Sequence, residues 1–234
     1  MHGKSAAVRS HQTPKVNHAF VLAQRHLRHR LLGSSQVLTD RRQRDLAAHM
    51  LLYLDDGRHC WQLAMDWLRE QLCADRVDGG FCPAQAHSYR PWVESLSPQA
   101  EGDSALAVSW DVQAAGIRDV LRAGRLVYVP SVQRAANLDA GMKAALLQQG
   151  TFGKLSMAVS DGARPIGLVC LDWLRRPADM DDGRLVMFQD AVINVMSPIL
   201  TAAQQVAQDE GAADWAVPMK VSEDALSPAE DRKS

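Results

Sequence analysis

Cys170, Leu171, Asp172 and Trp173 bring a thiol, a carboxyl and an indole into one short segment, the first place in this chain to look for chemistry. On a strand Cys170 and Asp172 share one face, and Leu171 and Trp173 take the other. A nucleophilic thiol needs a neighbour that holds it as the thiolate, and no histidine lies nearby in sequence. The segment therefore predicts a buried cysteine acting as a small hydrophobe, with Asp172 finishing the strand. His26 and His29, with His18 upstream, have a spacing that could face a metal. The surrounding QRHLRHR is strongly basic, however, and no cysteine or carboxylate sits at helical spacing to complete four ligands, so these histidines read as a solvated face. A Walker loop, a Gly-x-Gly-x-x-Gly turn and a Gly-x-Ser-x-Gly elbow are all missing from the sequence. Catalysis draws no support, and the chain reads as a non-enzyme.

The 234 residues are 47% hydrophobic and 23% charged, enough apolar material for one sizeable core. The net charge of −1 conceals two opposed ends. Residues 1–50 hold nine Lys/Arg against Asp40 and Asp45, a balance of +7, whereas from Asp209 onward seven acids face Lys220, Arg232 and Lys233, a balance of −4. Both ends read as solvated extensions. No stretch approaches the apolar run of a membrane span and the polar N-terminus lacks a signal-peptide core, so a cytoplasmic protein with no membrane partner is expected. The four cysteines show no CxxC. Cys60 and Cys73, about 20 Å apart on one helix, cannot bridge within the chain, so reduced thiols are expected.

The elements follow from periodicity. Residues 1–17 have no apolar period and predict a disordered basic arm. Residues 18–57 predict a helical extension of two amphipathic helices, one aligning Phe20, Ala23, Leu27 and Leu31, the other Leu46, Met50, Tyr53 and Leu54. A third helix aligns Trp61, Met65, Leu68 and Leu72. A glycine-weakened strand (75–82), a loop to Asp103, an alternating strand (104–111), a helix ending at Gly124, the strand RLVYVPS and a helix ending at Gly150 come next. Residues 151–173 predict two strands joined by the turn SDGARP, and a long helix from Asp182 to Ala207 is expected to bend at Pro198. Strands apolar on both parities, such as LVYV and IGLVCL, must be covered on both faces. An α/β (α+β) fold follows, with a central, mostly antiparallel sheet between helical layers.

WLREQLCADRVDGGF, GRLVYVPSV and above all GKLSMAVSDGARPIGLVCLDW, followed by a long apolar-striped helix, make residues 58–207 resemble a GAF domain, a sensing and dimerising module of bacterial regulators. The resemblance implies a pocket between one sheet face and the short helices, walled by Trp110, Tyr128, Met142, Phe152 and Met157, with Trp92 as a lid. It implies a small, partly apolar effector and a homodimer. The cofactor stays unknown: the cyclic-nucleotide signature and the bilin-cysteine context are missing, and Cys82-Pro83 with His87, similar to a short element of haem-responsive proteins, is too brief to assign haem. ALSPAE (225–230), within the acidic tail 208–234, resembles the opening of the helix-turn-helix of LuxR-type regulators, which implies DNA contact through a domain absent from this chain. The function so implied is the effector-binding sensory domain of a transcriptional regulator. A ligand-free dimerisation module and a cysteine-based redox enzyme on the same scaffold are the alternatives.

Overall fold

The computed structural model describes residues 18–33, 38–82, 86–100, 103–113, 117–123 and 125–209. The basic arm 1–17 and, in the acidic tail, residues 210–234 with the ALSPAE segment lie outside them. Three helices come first: α1 (His18–Leu32), α2 (Arg41–Leu52) and α3 (Gly57–Leu72). Seven strands follow: β1 (Arg76–Phe81), β2 (Ser88–Tyr89), β3 (Val93–Leu96), β4 (Trp110–Asp111), β5 (Val127–Val129), β6 (Thr151–Asp161) and β7 (Arg164–Leu174). Between them lie α4 (Ile117–Ala123) and α5 (Ala140–Gln148), and the chain closes on α6 (Asp182–Asp190), a π-helical segment (Ala191–Met196) and α7 (Ser197–Asp209).

The helices begin where the sequence offers an acid to a bare N–H. Asp40, Asp56, Asp139 and Asp181 each accept a backbone hydrogen bond at the start of α2, α3, α5 and α6, at 2.7–2.9 Å. The sheet has the order β3-β1-β7-β6-β5 with every pairing antiparallel, and β2 pairs with β4 apart from it. Its odd-numbered face on β1, β6 and β7 carries Val77, Leu155, Met157, Val159, Val169, Leu171 and Trp173, all buried against the layer built from α1, α2, α3 and α6–α7. The glycines that weaken β1 on paper make room here. A Cβ at Gly79 would stand 2.8 Å from the Trp61 ring, and one at Gly167 would stand 2.6 Å from the Gly80 carbonyl oxygen and 3.0 Å from that ring. Trp61 thus packs against the sheet where Gly79 and Gly167 carry no side chain.

Two expectations change. The segment expected to be a loop up to Asp103 contains β2 and β3, and of the strand expected over 104–111 only Trp110 and Asp111 pair. The reason is local. The Glu94 carboxylate accepts from the Ala105 N–H (2.8 Å) and from the Ser104 hydroxyl, and Arg90 Nε donates to the Leu106 carbonyl (2.7 Å), so side chains take up the backbone that a ladder would have used.

The closing helix runs unbroken past Pro198, with its irregularity one turn earlier. Proline has no N–H for the carbonyl of Asn194 and its ring crowds that carbonyl, and the turn at Ala191–Met196 widens to the π form. Residues 182–208 are long and apolar enough to cross a membrane by length and composition, contrary to the sequence reading. Their inward side chains, Phe188, Val192, Val195, Met196, Ile199, Leu200 and Ala203, are completely buried in the core.

Candidate functional site

On the other face the same strands show charge. The register lays out three rows across the sheet: Arg76, Asp172, Lys154 and Val129; then Asp78, Cys170, Ser156 and Val127; then Gly80, Leu168 and Ala158. Period-two alternation puts all of these on one face. A bulge between Thr151 and Gly153 shifts the parity of β6 and brings Thr151 to the same side. Above the rows, Ile117 and Val120 of α4, Met142 and Leu146 of α5, Leu138, and Trp110 of β4 close a cavity of about 50 Å³.

Asp172 is the hub of the charged row. Arg76 donates to its Oδ2 from Nε (3.0 Å) and Nη2 (2.7 Å), and Lys154 Nζ donates to its Oδ1 (2.7 Å). Arg76 continues to Thr151 Oγ1 (3.0 Å) and to the Asp103 carbonyl (2.6 Å). The guanidinium is 2% and the carboxylate 1% exposed, so their attraction acts in a medium of low polarisability. Burial alone would raise the Asp172 pKa. The charges of Lys154 and Arg76 outweigh it and hold the carboxyl below its ordinary value. Burial likewise opposes the charge on Lys154, and Asp172, with Cys170 and Asp78, outweighs it upward.

Asp78 is the exception. Only 4% exposed and lining the cavity, it receives no hydrogen bond from the described residues, and burial pushes its pKa up to about 7 against the pull of Lys154 and Arg76. The Gln149 side-chain oxygen, also in the cavity wall, is buried without a partner among the described residues. Asp75, by contrast, accepts from the Leu174 N–H and from Arg176.

Of the residues implied by the resemblance, Trp110 and Met142 line this cavity. Four others do not. Tyr128 sits between Val127 and Val129 and so points the opposite way, its hydroxyl donating to the Ala178 carbonyl (3.1 Å). Met157 pairs with Val169 on the helix-covered face. Phe152 is the extra residue of the bulge and lies with Tyr128, Pro130 and Pro177 in a separate surface cleft. Trp92 packs against Phe81 at 5.9 Å between ring centres, under the Arg58 guanidinium. The sequence reading missed Arg76, Asp78, Lys154 and Asp172 as a group. Their signal was there: Arg76 and Asp78 flank Val77 at period two inside a strand whose six residues are all buried.

The cysteines take no part in a shared site. All four are free thiols, and Cys60, Cys82 and Cys170 are buried. Burial raises each of the three, Cys170 to about 12 and Cys82 to about 11. Cys170 accepts from the Ser156 hydroxyl at 3.5 Å. Among the described residues no group of three His, Cys, Asp or Glu is placed to hold a metal.

No protein-family model matches the chain, and no curated protein does. Solved structures do. The phycocyanobilin-bound GAF domain of a cyanobacterial phytochrome superposes with a TM-score of 0.58 at 13% identity, over 71% of this chain and 96% of that one. The GAF domain/HD domain protein from Geobacter sulfurreducens gives 0.53 at 13% identity, over 67% of this chain and 97% of that one. The GAF domain of an Acinetobacter phosphoenolpyruvate-protein phosphotransferase gives 0.52 at 12%, over 72% and 98%. At such identities the likeness is one of architecture: the chain has the GAF fold.

Proposed function

We propose that this chain is a small-molecule-sensing domain of a bacterial signalling or regulatory protein, working in the cytoplasm as a homodimer and without catalysis. The observation that carries the reading is the cavity, apolar on its helical side and charged on its sheet side, with a buried carboxyl that receives no hydrogen bond from the described residues. A buried polar group without a hydrogen bond costs free energy, and a module with no ligand would gain stability from an apolar residue there. The raised, buried thiols support a role without redox turnover. They also disfavour a bilin: Cys170, the cysteine on the cavity wall, offers no thiolate for attachment.

Denaturing the purified protein and identifying what it releases by mass spectrometry is the direct test; a stoichiometric small molecule is expected. Val127→Phe, which fills the cavity from β5, is expected to abolish its binding in folded protein. Trp110→Ala is expected to weaken it roughly tenfold through lost contact area. Unchanged affinity in both variants would place the ligand elsewhere.

Homodimerisation is supported by the exposed apolar side chains of Val21 and Leu22 on α1 and of Val186 and Ile193 on the closing helix. Sedimentation is expected to show a dimer that Leu22→Asp together with Ile193→Asp converts to monomer. A monomer at every concentration would remove the dimer from the reading.

A further inference from the structure

The cavity has spare hydrogen-bonding capacity of both kinds, donor and acceptor. Both oxygens of Asp172 are engaged, Oδ2 by Arg76 twice and Oδ1 by Lys154. Lys154 gives one of its three ammonium protons to Asp172, and its side chain keeps 19% of its surface. The Gln149 oxygen is buried and accepts nothing from the described residues, and the Asp78 carboxyl, at the cavity wall, forms no hydrogen bond with them. The cavity thus holds unfilled acceptors on Asp78 and Gln149 and unfilled donors on Lys154. Its charges, two cations and two carboxyls, sum to zero when Asp78 is ionised.

We infer that the cavity binds a free α-amino acid with a short apolar side chain, the ammonium held by Asp78, the carboxylate by Lys154, and the side chain among Val120, Val127, Leu138 and Met142. This rests on the reading of the cavity as a ligand site. A monocarboxylate would leave Asp78 and Gln149 unfilled and set a second negative charge near Asp78. A monoamine would leave the Lys154 protons unfilled and add a third cation. A zwitterion fills both sides and leaves the charge sum unchanged, and it relieves the desolvation that pushes Asp78 toward neutrality. Size sets the side chain: about 50 Å³ is the room of roughly four waters, which suits two or three carbons better than an aromatic ring.

Three probes with one tail separate the possibilities. L-2-aminobutyrate carries both head groups, butanoate lacks the amine and propylamine lacks the carboxylate. In calorimetric titrations of the full chain at neutral pH, aminobutyrate is expected to bind and the other two to bind at least tenfold more weakly. Asp78→Asn is expected to lose at least tenfold in aminobutyrate affinity, and Lys154→Met a similar factor, with both variants checked for fold by circular dichroism. Butanoate or propylamine binding as tightly as aminobutyrate would overturn the zwitterion while leaving the cavity as the ligand site. So would release from the purified protein of a stoichiometric molecule that is not an amino acid. If no probe binds and the protein releases nothing, the zwitterion and the ligand-site reading fall together.

Discussion

Asp172→Asn is expected to lower the unfolding free energy by about 3–5 kcal/mol, the range for breaking a buried ion pair by removing one partner. The substitution keeps the shape and removes the charge that both Arg76 and Lys154 face. A guanidinium 2% exposed then loses its hydrogen-bonded counter-charge and keeps neutral acceptors, Thr151, the Asp103 carbonyl and the one amide oxygen, with Asp78 and Glu94 acting on it through charge alone. Since folded domains are stable by about 5–15 kcal/mol, this is a large share of the total. The cost arises from the unpaired cations, so removing them as well is expected to restore most of it: Arg76→Met, Lys154→Met and Asp172→Leu together should lie much closer to the parent than Asp172→Asn alone. Urea titration of the three proteins measures this. A loss under about 1 kcal/mol for Asp172→Asn would mean that water reaches the row and shares its charge.

Asp78→Asn is expected to work in the opposite direction above neutrality, making the protein more stable. A carboxyl whose pKa is raised by folding from 3.8 to about 7 binds more protons folded than unfolded between those values. Stability therefore falls as pH rises from about 4 to 7 and levels off above, with a total on the order of 4 kcal/mol at 1.36 kcal/mol per unit. Lys154 and Arg76 attract the ionised form, but the net shift is upward, so desolvation wins and removing the charge is a gain. Asp172 contributes the other limb: its lowered pKa gives stability that is present above the unfolded value and is lost as pH falls through the folded one. Together they predict maximal stability in mildly acid solution. Melting temperatures across pH 4 to 8 are expected to fall in the parent and to stay nearly level in Asp78→Asn. Parallel slopes in the two proteins would show that Asp78 is hydrated and titrates normally.

The hairpin of β6 and β7, the long closing helix and the three opening helices were all legible in the sequence, because each carries an apolar stripe of the right period over ten or more residues. Of the six residues implied for the pocket, only Trp110 and Met142 line the cavity. The resemblance implies Tyr128 and Met157, yet a strand offers a cavity only alternate residues, and the choice between parities depends on register with neighbours far away in sequence. Phe152 misled for a further reason: a bulge breaks alternation, and nothing in TFGK announces it. The charged row is hidden in the sequence because Asp172 stands at the end of an apolar run, where an aspartate ordinarily ends a strand. Asp172 instead meets a guanidinium 96 residues earlier in the chain and an ammonium across the hairpin. Pairs so distant in sequence leave only a local trace, the alternation of charged and apolar residues in RVD.

The wide turn at Ala191–Met196 has a consequence for how the closing helix tolerates changes of length. A π turn spends one residue more per hydrogen-bonded ring than an α turn does, so the chain carries a surplus residue beside Pro198. Removing one residue within this turn can be absorbed by closing it to the α form, which leaves the inward residues on either side, Phe188 before it and Ile199, Leu200 and Ala203 after it, in their present positions. The same deletion elsewhere in the helix would rotate everything beyond it by about 100° and turn that buried stripe toward water. The helix thus carries its own slack, kept at one place, next to the proline that makes it necessary.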